Sequence, residues 1–101
     1  MRFEEKEELF QLGDISREAI ARRLRAGRMA TGLNQQDFAK SVGLKKTTYS
    51  AQENGDSSPS IPVMRALYRE YRIDFNYVLH GDFAQLPSDV QDKLIEILSS
   101  F

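Results

Sequence analysis

The chain contains no cysteine among its 101 residues. That absence removes disulfides, thiolate metal sites and cysteine nucleophiles together, and it is compatible with a reducing, cytoplasmic location. Long apolar runs are missing too. The N-terminus, MRFEEKEELF, is acidic and lacks the apolar core of a secretory signal, and no stretch approaches the roughly 20 apolar residues that a membrane-spanning helix needs. The single histidine, His80, stands beside Gly81, where it reads as a surface residue rather than a ligand or a base. There is no Gly-rich phosphate loop, histidine cluster or motif-placed carboxylate pair, and Asp37, Glu53 and Glu70 all have ordinary helical explanations. Neither an enzyme nor a metal, cofactor or membrane protein is expected, and no small-molecule ligand is implied.

What is present suffices for one small domain. Apolar residues make up 41%, enough for a modest core, and a second sensory or catalytic domain is not expected within this length. A net charge of −1 by itself argues against a nucleic-acid binder, but the charge is unevenly placed. Residues 17 to 80 hold eleven Lys/Arg against six Asp/Glu, a net of +5, while the flanks hold three against nine, a net of −6. Attraction to phosphate follows the local field, within about 10 Å at moderate salt, rather than the total.

The most organised stretch runs from Asn34 to Gly55, NQQDFAKSVGLKKTTYSAQENG, and predicts two short helices joined by a tight turn. Asn34 can accept a backbone N–H at the start of the first, and Leu33 and Phe38 occupy the two positions of a hydrophobic staple. Phe38, Ala39 and Val42 recur at helical spacing until Gly43, which tolerates the left-handed conformation of a helix stop. Leu44 and Tyr49 make a second staple-like pair around the next helix, Lys45 to Asn54, and Gly55 stops it. Two helices with a short glycine-containing turn are the helix-turn-helix signature, whose second helix suits the major groove of DNA.

Through LNQQDFAKSVG, the turn at Gly43, TTYSAQENG, and the later Pro59-Ser60 and IDFNYVLHG, the chain resembles the phage-repressor and Cro-like (XRE-type) helix-turn-helix proteins over about Arg17 to Gly81. The resemblance implies an all-α fold. It implies a compact five-helix lambda-repressor-like DNA-binding domain over residues 17–81; outside the match, the residues themselves suggest an acidic N-terminal helical extension, 1–16, and a C-terminal helix, 82–101, as a candidate dimerisation element. The resemblance also implies base-facing places for Lys46, Thr47 and Ala51, with Ser50 close by. Lys46 can donate to guanine O6 and N7, Thr47 can bond a base or touch a thymine methyl, and Ala51 offers apolar contact only. Backbone phosphates are assigned to Gln35, at a helix start whose free amides and dipole favour an anion, and to Asn54, with Asn34, Lys40, Lys45 and some arginines of residues 22–28 adding attraction. The family often pairs the residue at Arg28 with the one at Glu53, tying two helices; as an exposed pair this is worth only about 0–1 kcal/mol. Three departures stand out. Family members often carry Gln or Arg where Ala51 stands, which shifts weight toward DNA shape. They usually have a Ser/Thr cap at the Lys45 position and an apolar or aromatic residue at the Gln52 position.

Around this centre, Phe3 to Leu12 predicts a short helix ended by Gly13, whose apolar Phe3, Leu9, Phe10 and Leu12 cover either the same chain or a second subunit. Ser16 caps a helix toward Thr31 with Ile20 and Leu24 inward, a basic outer face of Arg22, Arg23, Arg25 and Arg28, and an unexplained Gly27 that costs of the order of 1 kcal/mol. Ser60 caps the next helix, with Pro62 in its first turn and Met64, Leu67, Tyr68 and Tyr71 as core; Asp74 caps another, with Phe75, Tyr77 and Leu79 closing the core until Gly81. Finally LPSDVQDKLIEILSSF predicts a helix opened by a Ser88/Gln91 capping box, with an apolar stripe of Val90, Leu94, Ile97, Leu98 and Phe101. That stripe either covers its own domain or forms a symmetric dimer contact; the second is preferred, because such domains normally read two half-sites.

The function expected is a sequence-specific transcriptional regulator of the phage or prophage repressor type, binding double-stranded DNA as a homodimer on an inverted repeat. The other reading is an antitoxin or anti-regulator, acting mainly through a protein partner and binding DNA weakly.

Overall fold

The computed structural model describes all 101 residues as seven helices without a strand. They are α1 (Phe3–Phe10), α2 (Arg17–Ala30), α3 (Gln35–Ser41), α4 (Lys46–Glu53), α5 (Ile61–Tyr71), α6 (Phe75–His80) and α7 (Ser88–Ser99). The all-α, lambda-repressor-like arrangement expected from the sequence is what forms: α2 to α6 build the five-helix unit, with one helix added at each end. No helix is long and apolar enough to cross a membrane.

Three of the helix starts follow directly from a capping side chain. Ser16 Oγ accepts the Ala19 amide at 3.2 Å, Asn34 Oδ1 the Asp37 amide at 2.8 Å, and Asp74 Oδ1 the Tyr77 amide at 2.9 Å. Each satisfies an amide with no intrahelical partner, at about 1 kcal/mol. Two predicted caps do not form. Ser60 sits at the cap position of α5, but its Oγ is buried without a partner, and Gln52 Oε1 instead accepts the Ser60 amide at 3.0 Å. In α7 the cap position falls on Pro87, one residue early for the Ser88/Gln91 box, and the Gln91 side chain is spent elsewhere.

The core is organised around α2. Leu24 and Ala26 are fully buried, and Phe38, Tyr49, Val63, Leu67, Ile73, Tyr77 and Val78 close around them. The two staples pack as expected: Leu33 and Leu44 are half-buried over Phe38 and Tyr49, whose rings lie 5.1 Å apart. Gly27 is buried against Leu67 and Ile73, where an added Cβ would meet them at 3.5 and 3.8 Å, an ordinary contact distance. Packing therefore does not require glycine there. Tyr68 and Leu79, read as core from the sequence, point to solvent instead, because Val63 takes the inward place on α5 and Val78 the one on α6.

The flanking helices join the same core. The Phe10 ring stacks on Phe83 at 5.0 Å and meets Tyr77 edge-on at 5.9 Å, so α1 covers its own chain. Lys6 Nζ donates to Gln91 Oε1 at 2.6 Å, and Gln91 Nε2 to the Phe83 carbonyl at 3.0 Å, fastening α1 to α7. The α1 helix ends at Phe10 on a left-handed Gln11 (φ 52°), two residues before the expected Gly13. The α7 stripe is spent within the chain: Val90, Leu94 and Leu98 are buried and Ile97 is half-buried, leaving only Phe101 exposed, under the guanidinium of Arg25. As a dimer contact, Val90, Leu94 and Leu98 are therefore unavailable in this fold, since α1 and α2 already occupy them.

Arg23 explains why the ends stay attached. Its guanidinium is fully buried and donates to five carbonyls: Nε to Val78, Nη1 to Phe10 and Gln11, and Nη2 to Asp14 and Leu79, at 2.7 to 3.2 Å. Four of these carbonyls lie at the C-terminal ends of α1 and α6, where acceptors lack intrahelical partners and the helix dipoles are negative. Arg22 adds the ends of α1 and α7 through the Leu9 and Leu98 carbonyls. The approach is so close at Gly81 (φ +83°) that a Cβ there would sit 2.7 Å from the Phe10 carbonyl oxygen, which only glycine avoids.

Candidate nucleic-acid interface

The turn between α3 and α4 is short because Gly43 takes a left-handed conformation (φ +76°) and the Leu44 amide returns to the Ala39 carbonyl at 2.9 Å. Helix α4 then begins at Lys46, with Lys45 as an extended cap that offers no side-chain bond, and ends at Glu53 with Asn54 as its C-terminal cap. The lost cap follows from the residue: a lysine has no acceptor to offer an amide.

Helix α4 divides sharply into two faces. Tyr49, Gln52 and Glu53 are buried. Lys46, Thr47, Ser50, Ala51 and Asn54 fall on the opposite side at helical spacing and line, with Asp56, a shallow depression of about 310 Å³. The four residues expected to read bases, together with Asn54, are thus brought to one surface. Lys40 and Lys45 are exposed and enter no ion pair.

The inward face is held by a charged network. Arg28 Nε meets Glu53 Oε2 at 2.7 Å and Arg28 Nη2 meets Glu53 Oε1 at 3.2 Å, while Arg28 Nη1 donates to the Leu33 carbonyl at 3.0 Å. The expected pair therefore forms, but not as the exposed pair assumed from the sequence. The side chains are 13% and 2% exposed, so the surface figure of about 0–1 kcal/mol does not apply, and removing either partner would strand a buried charge at about 3–5 kcal/mol. Burial acts to raise the Glu53 pKa, yet hydrogen bonds led by Arg28, with Gln35 and the Arg28 charge adding, hold it below its ordinary value. For Arg28, burial works downward and Glu53 outweighs it, so its pKa is raised. Burial pushes the neighbouring Tyr49 hydroxyl well up, and that hydroxyl has no hydrogen-bond partner.

Gln35 extends the network. Its Nε2 donates to Glu53 Oε1 at 3.0 Å, and its Oε1 accepts from Ser50 Oγ at 2.9 Å. Both ends of the amide are committed, so the side chain expected at a phosphate is a strut between α3 and α4, and the Ser50 hydroxyl hydrogen points inward. Asn34 similarly spends Oδ1 on its capping bond. The basic outer face expected along residues 22–28 does not form. Arg22, Arg23 and Arg28 are consumed by carbonyls and by Glu53, because each meets an unpaired acceptor within the fold; Arg25 alone is exposed, beside the Phe101 ring.

Two structural contributors were not legible. Gln52 crosses from α4 to the start of α5 through the Ser60 amide, and Arg17 Nη1 donates to the Asp56 carbonyl at 2.9 Å, anchoring the loop after α4. A polar residue in the buried register of a helix was the available signal for Gln52; a backbone carbonyl as acceptor leaves none for Arg17.

Residues 24–78 match the helix-turn-helix family. The chain is also 31% identical over 78 residues to the cryptic phage CTXphi transcriptional repressor RstR of Vibrio cholerae, an alignment covering 77% of this chain and 63% of that relative, less than two thirds of its length. No solved structure matches. Since the matched span runs from α2 into α6 and takes in both helices of the motif and the ion pair that joins them to α2, the chain belongs to the helix-turn-helix family.

Proposed function

We propose that this chain is a sequence-specific DNA-binding transcriptional regulator, a repressor of the phage or prophage type, acting as a homodimer on an inverted repeat in the cytoplasm. One observation carries the reading. The α4 helix turns Lys46, Thr47, Ser50, Ala51 and Asn54 outward as one surface, while Arg28, Glu53 and Gln35 pin its inward side. A reading helix has to be presented and immobilised, since a looser one would give back in ordering entropy what its contacts supply.

In this reading α4 lies in the major groove, with Lys46 on guanine O6 and N7, Thr47 on an adjacent base and Ala51 against a thymine methyl. Ser50 sits close to the bases and fixes the helix through Gln35. Lys40, Lys45 and Asn54 meet phosphates, joined by the helix start at Asn34 and Gln35. Residues 17–81 form the DNA-binding unit, with 1–16 and 82–101 as its flanks. Half-sites would be centred about 34 Å apart or a multiple of it, and occupancy of a promoter would repress it. The relative named as a phage transcriptional repressor supports the same direction.

The test is a titration of the chain against a duplex selected from a random pool and against a scrambled duplex, at low and near-physiological salt, with Lys46→Ala/Thr47→Ala alongside. A preference of about a thousandfold that collapses in the double variant is expected. Equal binding to both duplexes, fading steeply with salt, would overturn direct readout in favour of a protein-interaction role.

A further inference from the structure

Two half-sites require two copies, so a contact between copies rests on the DNA-binding role proposed for α4. We infer that the second copy of this chain docks on the outward face of α5 and the start of α6, centred on Tyr68 and Phe75. Helix α5 carries two stripes. Val63, Met64 and Leu67 face the core, while Ile61, Arg65, Tyr68 and Arg69 follow one another at helical spacing on the other side. A single exposed apolar residue is ordinary, whereas a contiguous apolar patch rimmed by polar residues marks a contact surface. Here Ile61 and Tyr68 are each 56% exposed. The Tyr68 ring is held edge-on against half-buried Phe75, with centroids 6.3 Å apart and planes at 84°, so this aromatic surface is already ordered. Around the pair lies an open depression of about 690 Å³, lined also by Arg65, Arg69, Asp74 and Asn76. A second depression, of about 340 Å³, reaches Ile61 and shares Arg65 and Arg69 with the first, so the patch is continuous.

Charge argues for a second copy as the occupant. Arg65, Arg69 and Glu70 enter no ion pair within the chain, and Asp74 spends only Oδ1, on the Tyr77 amide and Gln85. A two-fold contact sets a patch against itself, so arginines alone would repel. A rim carrying both signs is self-complementary, each Arg facing a carboxylate of its mate. Glu70 and Asp74 also set this face against a phosphate backbone. Aromatic residues inside an arginine-bearing rim are the composition of interface centres. The patch shares no residue with the α4 depression. The competing apolar stripe, on α7, is already buried.

The experiment measures the solution mass of the full chain, wild type, Tyr68→Arg, Arg69→Glu and Phe101→Arg, by sedimentation equilibrium, with thermal unfolding of each. Binding to a duplex bearing one half of the selected sequence is measured in parallel. A wild-type dimer is expected, with a dissociation constant raised at least about thirtyfold by Tyr68→Arg, the size of an anchor residue, and about tenfold by Arg69→Glu. Unfolding temperatures and half-site binding should stay near wild type, and Phe101→Arg should remain dimeric. The proposal is overturned if neither Tyr68→Arg nor Arg69→Glu changes the mass, if Phe101→Arg alone yields monomer, or if the wild type is monomeric even on the full inverted repeat. Loss of half-site preference in the wild type would sink the DNA-binding role and leave the mass result standing, so the two failures are distinguishable.

Discussion

Arg23 and Arg28 lie five residues apart on one helix, the first fully buried and the second largely so, yet the fold satisfies them by opposite means. Arg28 meets a carboxylate, Glu53, in a two-pronged pair. Arg23 meets five backbone carbonyls, mostly at the C-terminal ends of α1 and α6, with no carboxylate bonded to it. The first joins α2 to α4, and the second joins α2 to both α1 and α6. A carboxylate partner titrates and has a residue identity; a ring of carbonyls has neither. The two regions should therefore differ in size of effect and in pH response.

The largest expected effect is from Arg23→Met. It would leave several buried carbonyls without donors, each costing about 1–3 kcal/mol, so a loss of at least about 4 kcal/mol is expected out of a total of about 5–15. Urea unfolding by circular dichroism measures it. A loss below about 1 kcal/mol would mean that water replaces the guanidinium and that the hub is not what holds α1.

Glu53→Gln should cost less, about 2–3 kcal/mol at neutral pH, because the amide keeps part of the hydrogen bonding while Arg28 loses its counter-charge. Its pH signature sharpens the comparison. The Glu53 pKa is lowered in the folded chain, so its contribution is fully present above the unfolded carboxylate value near 4.5 and is lost as pH falls through the lower folded value. Wild-type stability should therefore decline in that acid window more steeply than that of Glu53→Gln. Asp14 and Asp89, also lowered but at the surface, contribute equally to both chains and cancel. The Arg23 hub adds no acid limb of its own, since burial lowers the guanidinium pKa but leaves it charged at any ordinary pH.

The smallest effect expected is a gain. Gly27→Ala, between the two arginines, should stabilise by up to about 1 kcal/mol, because the helix favours alanine and the added Cβ meets Leu67 and Ile73 at normal contact distance. A loss of stability in thermal unfolding would show that α2 and α5 pack more tightly than these distances allow.

The motif was readable because its signals are local. Asn34, Asp74 and Ser16 cap amides three residues on, the staples span five positions, and Gly43 needs no neighbour to adopt its turn. Helical spacing likewise carries Lys46, Thr47, Ser50, Ala51 and Asn54 to one side of α4, though their selection as base-facing or phosphate-facing residues came from the family resemblance. The roles of Gln35, Gln52, Arg22 and Arg23 were not readable. A surface arginine and one that bridges two helix ends are the same letter in the same register, and what separates them is whether carbonyls at helix ends lie within reach.

The chain's own sequence determined the seven helices, their main stops and the helix-turn-helix unit, because propensity, capping and apolar period act within a few residues of their cause, while the Arg28–Glu53 pair, 25 residues apart, was expected only from the family resemblance. The tertiary structure decided which charges are spent and which are free. It buried Arg23, occupied Gln35, consumed the α7 stripe and left Tyr68 facing outward against half-buried Phe75. Those outcomes depend on backbone groups and surfaces brought together from distant parts of the chain, and a carbonyl leaves no mark in the sequence of the residue that carries it.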